Sequence, residues 1–219
     1  MSRLARILEP ELMDTPEEAA DYNSMDHSAV NRSFASDFLA GYTGGRALDV
    51  GTGTAQIPIE ICRQHAGIEI DALDAATHML SLARRNIVAA GLESRITLHH
   101  APAQRLPFHD GQFAAVMSNS IVHHIPEPLT VLAEMVRVTA AGGWLFVRDL
   151  LRPADKKELT ALVELHAAEA NAHQRQMFRD SLHAALTLEE VRSLVQQLGL
   201  DPTRVRQTTD RHWTWATRR

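Results

Sequence analysis

The stretch LDVGTGTAQIPIEI, residues 48–61, places two glycines directly after an apolar run that contains an acid. Residues 47–50 are typical of a buried strand, and a helical pattern opens after Ala55. Gly51 and Gly53 permit positive φ and let a ligand approach the backbone with no Cβ in the way. A strand, a glycine turn and a helix N-terminus form the first half of a nucleotide-binding βαβ unit, so this stretch predicts an α/β fold.

Short apolar runs alternate with helical patterns from residue 46 to residue 150. Such alternation predicts parallel strands joined by right-handed helical crossovers. Residues 154–185 read as helical throughout, Thr187–Glu190 is a capping box that opens another helix, and two last strands predict a hairpin about Asp210. We predict a doubly wound, mostly parallel seven-stranded sheet with helices on both faces and an antiparallel last strand.

The length and composition favour a single domain over residues 1–219. A chain of 219 residues that is 45% hydrophobic can bury a full core. Within that domain we predict an N-terminal helical arm over 1–42 and a helical lid insert after the fifth strand, over 151–186.

The charge balance restricts the partners. Lys and Arg number 22 against 27 Asp and Glu, for a net charge of −5, and no long basic run is present. Nucleic acid is therefore not predicted as a partner. No apolar run reaches membrane-spanning length, which predicts no membrane partner and a cytoplasmic location. The single cysteine, Cys62, excludes an internal disulfide and a CxxC metal site.

Polar residues stand where the predicted strands end. Asp74 follows the second strand, 23 residues after Gly51, where a carboxylate can accept hydrogen bonds from ribose hydroxyls. Its alternative role is the N-cap of the next helix. Residues 118–119 end the fourth strand and residues 148–149 the fifth. Because carboxyl ends of parallel strands share one edge, these groups are expected to converge there.

The dinucleotide pattern GxGxxG is not met, since neither position 54 nor position 56 is glycine. Beyond the first strand, three further motifs follow in order: ALDAATHMLSLARRN (72–86), LPFHDGQFAAVMSNSIVHHIPEP (106–128) and VRVTAAGGWLFVRD (136–149). With them, the chain resembles the class I, Rossmann-like S-adenosylmethionine-dependent methyltransferases, over residues 28–150 and the last two strands.

The resemblance implies S-adenosylmethionine as the cofactor and assigns it a set of residues. Asp74 matches the ribose-binding acid. The family often has an acid after the third strand that holds the adenine amino group; here Gln104 or the backbone of Ala103 stands in its place. Ala55 replaces the third glycine of the first motif. The other implied cofactor residues are Asp49, Gly51, Thr52 and Gly53 in the first motif, Ala75 and Met79 beside the adenine, and Ser118 and Asn119 near the methionine amino group.

By this resemblance the reaction is in-line attack of a small-molecule nucleophile on the sulfonium methyl. A general base near pH 7 would assist a hydroxyl or acid acceptor, and His123 and His124 follow the fourth strand where such a base is needed. Their alternative role is to pack or orient the loop. We predict that the acceptor is contacted by residues of the arm, the fifth strand and the insert: Tyr22, Met25, His27, Asn31, Arg148, Arg175 and Arg179.

Two other functions stay open at this level. One is a catalytically silent S-adenosylmethionine-binding partner protein, and the other is a nicotinamide-dependent oxidoreductase, which the missing GxGxxG disfavours. No metal site is predicted. The adjacent pairs His99–His100 and His123–His124 are expected to point apart, and no HxxxH or HxxE arrangement accompanies them.

Overall fold

The computed structural model describes residues 4–9, 14–25 and 27–219. Its strands are β1 (Ala47–Val50), β2 (Ile70–Asp74), β3 (Ile96–His100), β4 (Phe113–Asn119), β5 (Thr139–Leu150), β6 (Val205–Gln207) and β7 (His212–Arg218). Its helices are α1 (Pro16–Ser24), α2 (Ser28–Gly41), α3 (Gln56–Gln64), α4 (Thr77–Ala90), α5 (Pro128–Val138), α6 (Lys156–His166), α7 (Ala172–Ala184) and α8 (Leu188–Gln197).

The seven strands form one sheet in the order β3-β2-β1-β4-β5-β7-β6. Strand β1 is central and runs parallel to both β2 and β4, while β6 and β7 pair antiparallel. The predicted seven-stranded, mostly parallel sheet with an antiparallel terminal hairpin is confirmed. The strand order reverses beside β1, which is where an open α/β sheet opens a crevice at the carboxyl ends of its strands.

The predicted continuous helix over 154–185 is wrong, because the chain folds there as α6 and α7. Asn171 opens α7 with a capping box: its side chain accepts from the Gln174 amide, and the Gln174 side chain accepts from the Asn171 amide. Asparagine competes with the helical backbone for hydrogen bonds and so favours a helix start over a helix interior. The capping box predicted at Thr187 is present at the start of α8.

Of the predicted arm over 1–42, the described part contains α1 and α2, and residues 1–3, 10–13 and 26 lie outside the described residues. Thr15 and Glu18 form a capping box at the start of α1, and Pro16 occupies its first turn. Both features satisfy or remove amide donors that a helix start leaves without partners.

The described residues form two compact units. The glycine-turn unit contains the described residues within 12–119, 130–147 and 216–219. Its core packs α2 and α3 with the central strands, through fully buried residues such as Phe34, Phe38 and Met117. The C-terminal unit contains the described residues within 1–11, 120–129 and 148–215. In its core Leu4 packs with Leu159, Val163 and Leu182 of α6 and α7. The single domain over 1–219 and the lid role of 151–186 stay predictions.

In the described part of the chain, every helix is too short or too polar to cross a lipid bilayer.

Candidate cofactor site

The turn between β1 and α3 is held against the end of β2. Gly51 and Gly53 adopt φ of 77° and 54°, in the left-handed region that glycine enters without strain. The amides of Gly51 and Thr52 both donate to the Leu73 carbonyl, at 2.8 and 2.9 Å. The turn is therefore hydrogen-bonded to the end of β2, the strand that ends in Asp74.

Asp74 connects the glycine turn to the start of α4. Its Oδ2 accepts from the Gly53 amide at 2.7 Å, and its Oδ1 accepts from the Ala76 amide at 2.9 Å. The alternative role of Asp74 as the N-cap of α4 is wrong, because that position is Ala76. Asp14 from the arm accepts from the His78 amide in the first turn of α4, at 2.9 Å, and so satisfies a helix-start donor. Asp74 thus lies between the turn and the helix with its carboxylate beside the glycines.

Two acids and a phenol surround the turn in a desolvated environment. Burial raises the pKa of Asp49 to about 7, against an opposing contribution from Thr52, and the charge of Asp74 adds to the rise. Burial likewise raises the pKa of Asp74, although three backbone amides oppose it. Burial, with the charges of Asp74 and Asp49, raises the pKa of Tyr22 to about 12. Among the described residues, neither acid forms an ion pair with Lys, Arg or His. Negative charge here is costly until a cation or hydroxyl donors approach.

Helix α1 brings the arm onto this same end of the sheet. Ala19 packs with Ala76 and Met79, and Tyr22 and Leu82 border that cluster. A Cβ built on Gly53 would lie 3.8 Å from Cε1 of Tyr22, so the phenol ring lies directly beside the turn. Tyr22, one of the arm residues predicted from sequence, therefore lies beside the first motif.

Asn86 of α4 fixes these pieces to one another. Its Nδ2 donates to Oδ1 of Asn23 in α1 and to the Thr54 carbonyl in the turn, both at 2.9 Å. One amide group thus joins the arm, the turn and α4. Asn86 ends the motif quoted for residues 72–86, but the sequence assigned it no role, because its partners lie far from it along the chain.

The remaining predicted residues of the glycine-turn unit have these positions. The His27 ring packs against Tyr22 with centroids 4.9 Å apart, and Asn31 donates to Gln56 at 3.2 Å. The Ser118 hydroxyl donates to the Val50 carbonyl at 2.8 Å, which joins the ends of β4 and β1. Met25 is the C-cap of α1. Ala75, Gln104 and Asn119 are half-buried, and Ala103 is buried.

Five predicted site residues belong to the C-terminal unit: His123, His124, Arg148, Arg175 and Arg179. Arg148 is buried and donates to the Thr214 hydroxyl at 2.9 Å. Arg175 and Arg179 line an open groove of about 490 Å³ between α6 and α7, together with Val163, Ala170, Ala172 and Gln176.

His123 lies in a buried cluster of ionisable groups. Its Nδ1 is 2.6 Å from Oδ1 of Asp149, and its Nε2 is 3.3 Å from Oε1 of Glu9. Burial lowers the pKa of His123, but the charge and hydrogen bond of Asp149, together with Glu9, raise it to about 9. An imidazole that holds its proton at neutral pH is a poor general base. The predicted base role of His123 gains no support from these contacts.

The fold and the strand-end acids define the class of protein as Rossmann-like α/β with a nucleoside-type site. A family model described as a methyltransferase domain matches residues 48–147. This match runs from Leu48 in β1 to Val147 in β5 and includes the glycine turn, Asp74 and the end of β4. It confirms the resemblance drawn from the motifs: residues 48–147 form a class I S-adenosylmethionine-dependent methyltransferase domain.

Known proteins are similar to the chain over more residues than this match. The ubiquinone/menaquinone biosynthesis C-methyltransferase UbiE of Geobacter sp. (strain M21) is 32% identical over 123 residues, which cover 56% of this chain and 52% of that protein. The 27-O-demethylrifamycin SV methyltransferase of Amycolatopsis mediterranei is 26% identical over 84% of this chain and 66% of that protein. The chain therefore spans about half the length of the UbiE relative that it matches.

A solved structure extends the similarity of fold to nearly the whole chain. A protein from Methanococcus maripaludis, described as a candidate S-adenosyl-L-methionine-dependent methyltransferase, superposes with a TM-score of 0.73 at 19% identity and covers 95% of both chains. At that identity the likeness concerns the fold.

The donor set of the glycine-turn unit fits S-adenosylmethionine. That molecule carries an ammonium group and a sulfonium, which supply the cation that Asp49 and Asp74 lack among the described residues, and a ribose diol, which supplies further hydroxyl donors. Glycine at 51 and 53 leaves the backbone open to a nucleoside. Met79 and Ala76 supply an apolar surface beside Asp74.

Proposed function

We propose that this protein transfers the methyl group of S-adenosylmethionine to a small-molecule acceptor. The observation that carries the proposal is the pair of desolvated acids, Asp49 and Asp74, around a glycine turn at the carboxyl end of β1. The cofactor supplies an electrophilic methyl on a charged sulfur. The protein's contribution is to hold the partners in line and to exclude water.

In this proposal Asp74 accepts the ribose hydroxyls, and the glycine turn receives the methionine and ribose portion. Ala75 and Met79 contact the adenine, Ala103 and Gln104 lie near its amino group, and Asn119 and Ser118 border the methionine end. Tyr22 covers the turn from the arm. A small-molecule acceptor is supported by the relatives, whose names describe quinone and rifamycin methylation. The cytoplasmic location stays a prediction.

The residues that contact the methyl acceptor are also part of this proposal. Tyr22, Met25, His27 and Asn31 belong to the glycine-turn unit, and Tyr22 and His27 pack together there. Arg175 and Arg179 are cations beside an open groove, which suits a carboxylate or phosphate group on the acceptor. A catalytic role for His123 and for the half-buried His124 stays a prediction. The contacts of His123 with Asp149 and Glu9 support the alternative role, which is to orient the loop after β4.

The proposal is tested first by calorimetric titration of the chain with S-adenosylmethionine, its demethylated product and NAD. We expect the first two to bind and NAD to fail. In Asp74→Asn the affinity for both is expected to fall about 10- to 100-fold, since a hydrogen bond to a charged group contributes roughly 1.5–3 kcal/mol.

Asp155→Asn is the matched control, because Asp155 also accepts two backbone amides, at 2.8 and 2.9 Å, at the start of α6. Unchanged affinity in Asp74→Asn, or tight binding of NAD, would contradict the proposal. A methyl-transfer assay on a metabolite extract then separates the enzyme from the silent partner protein, which would bind the cofactor without consuming it.

A further inference from the structure

Three metal-ligand atoms from distant parts of the sequence converge in the C-terminal unit. They are Oε1 of Glu9, a nitrogen of His123 and a nitrogen of His124, all within 4.8 Å of one another. Oε1 of Glu9 lies 3.3 Å from Nε2 of His123 and 3.1 Å from Nδ1 of His124. Two ligands held 2.0–2.1 Å from a tetrahedral Zn²⁺ lie roughly 3.3–3.4 Å apart, so these spacings match one shared ion.

The three side chains are removed from water. The side chain of His123 is 3% exposed, that of Glu9 11% and that of His124 14%. Neither Oε1 of Glu9 nor Nε2 of His123 has a hydrogen bond of good geometry among the described residues. The two atoms face each other as an ion pair at 3.3 Å. Buried polar atoms without a well-formed hydrogen bond cost free energy, and a bound cation would satisfy both at once.

Asp149 prepares His123 as a ligand. Its Oδ1 lies 2.6 Å from Nδ1 of His123, and its Oδ2 accepts from the Val122 amide at 2.6 Å. A carboxylate at Nδ1 fixes the ring and leaves Nε2 as the nitrogen that binds a metal ion once that ion displaces its proton, which is the arrangement that most metal-bound histidines have. Nε2 is the atom that faces Glu9.

The backbone around the cluster holds Glu9 in place. The Arg6 guanidinium donates to the carbonyls of His123 and Ile125 at 3.1 Å and to that of Ala184 at 2.7 Å. The Ile7 amide donates to the His183 carbonyl at 3.1 Å, and the Ser181 hydroxyl donates to the other oxygen of Glu9 at 3.3 Å. The carboxylate thus follows a segment that Arg6 and Ile7 fix in place, and Ser181 holds its other oxygen.

We propose that Glu9, His123 and His124 form a binding site for a divalent transition-metal ion of the Zn²⁺ type, with Asp149 as the positioning residue. Two imidazoles and one carboxylate are ligands that Zn²⁺ accepts, and three protein ligands leave one position for water or another ligand. The inference is independent of the methyl-transfer proposal. It also revises the expectation that adjacent histidines point apart, because the rings of His123 and His124 lie side by side, with centroids 4.2 Å apart.

The test uses the full chain without a histidine tag, stripped with a chelator and dialysed. Titration with Zn²⁺ is expected to show one ion bound per chain at neutral pH. Co²⁺ in its place is expected to give the visible d–d absorption of a four-coordinate site. Glu9→Gln and His124→Gln are each expected to weaken Zn²⁺ binding more than ten-fold, and Asp149→Asn by about 10- to 100-fold.

His166→Gln is the matched control, because His166 forms an equally short pair with Asp210, at 2.6 Å. Among the described residues, no third metal-binding side chain joins that pair. Circular dichroism checks that each variant is folded, and the Co²⁺ spectrum of the unaltered chain tests the site without any variant. The proposal is overturned if the unaltered chain binds neither ion, or if binding persists unchanged in Glu9→Gln and His124→Gln.

Discussion

At the scale of single residues, Ala55 has a backbone conformation that normally favours glycine. It adopts φ 60°, ψ 23° at the N-cap of α3, a left-handed conformation that costs an L-residue roughly 1–2 kcal/mol. Ala55 is also fully buried, so its methyl contributes to the core. The sequence predicted a helix start at this position, but the positive φ became visible only in the structure.

Two substitutions at Ala55 are expected to separate these effects. Ala55→Gly should leave the free energy of unfolding within about 1 kcal/mol, because relief of strain offsets the lost methyl burial and the added chain entropy. Ala55→Val should lower it by about 2 kcal/mol or more, since a β-branched residue tolerates positive φ poorly. Urea denaturation of both variants measures the difference. Equal stability of the two would contradict the conformational argument.

At the scale of elements, the end of α2 packs closely against the sheet through a glycine. A Cβ at Gly41 would overlap the indole ring of Trp144 in β5. The Trp144 Nε1 also donates to the Phe38 carbonyl one turn earlier, at 3.1 Å. The helix and strand therefore approach each other closely because residue 41 has no side chain.

Gly41→Ala is expected to lower the free energy of unfolding by about 1–3 kcal/mol, because the added methyl forces the indole or the helix to move. Thermal or urea denaturation measures the loss, and a change in tryptophan fluorescence, to which Trp213 and Trp215 also contribute, reports the displacement of Trp144. Gly67→Ala serves as the control, since a Cβ there meets only His65, at an ordinary 3.8 Å. A stability of Gly41→Ala equal to that of the control would show that the contact is not restrictive.

At the scale of the whole molecule, stability depends on a histidine that folds in its neutral form. Burial, with the charges of Arg211 and Arg148, lowers the pKa of His212 to about 4, although Asp149 and Asp210 oppose this. The unfolded chain binds a proton at this residue near pH 6.5 and the folded chain does not. The free energy of unfolding should therefore fall as pH decreases from about 6.5 to about 4, by about 3 kcal/mol in total.

Urea denaturation of the unaltered chain and of His212→Asn, from pH 7 to pH 4, measures this dependence. The variant should lose stability less steeply over that interval, because it has no site for the proton in the unfolded state. His109→Gln removes an exposed histidine and should keep the slope of the unaltered chain. Parallel profiles for the unaltered chain and His212→Asn would mean that other groups govern acid unfolding.

The sequence by itself determined the order of strands and helices from residue 46 to 150, the terminal hairpin and the class of domain. These depend on local signals: apolar runs, glycine turns and strand-end acids such as Asp74. The sequence could not divide 154–185 into α6 and α7, because a single asparagine such as Asn171 favours a helix start but does not by itself show that another helix ends before it.

Only the tertiary structure decided which distant groups meet. Asp14 reaches α4, Asn86 joins the arm to the glycine turn, and Glu9 reaches His123 and His124. Such contacts depend on the positions of the segments in the folded protein, and the spacing of residues along the sequence does not reveal those positions. Periodicity and turn chemistry act over a few residues and are readable in the sequence, whereas a buried charge receives its partners, and hence its pKa, from packing.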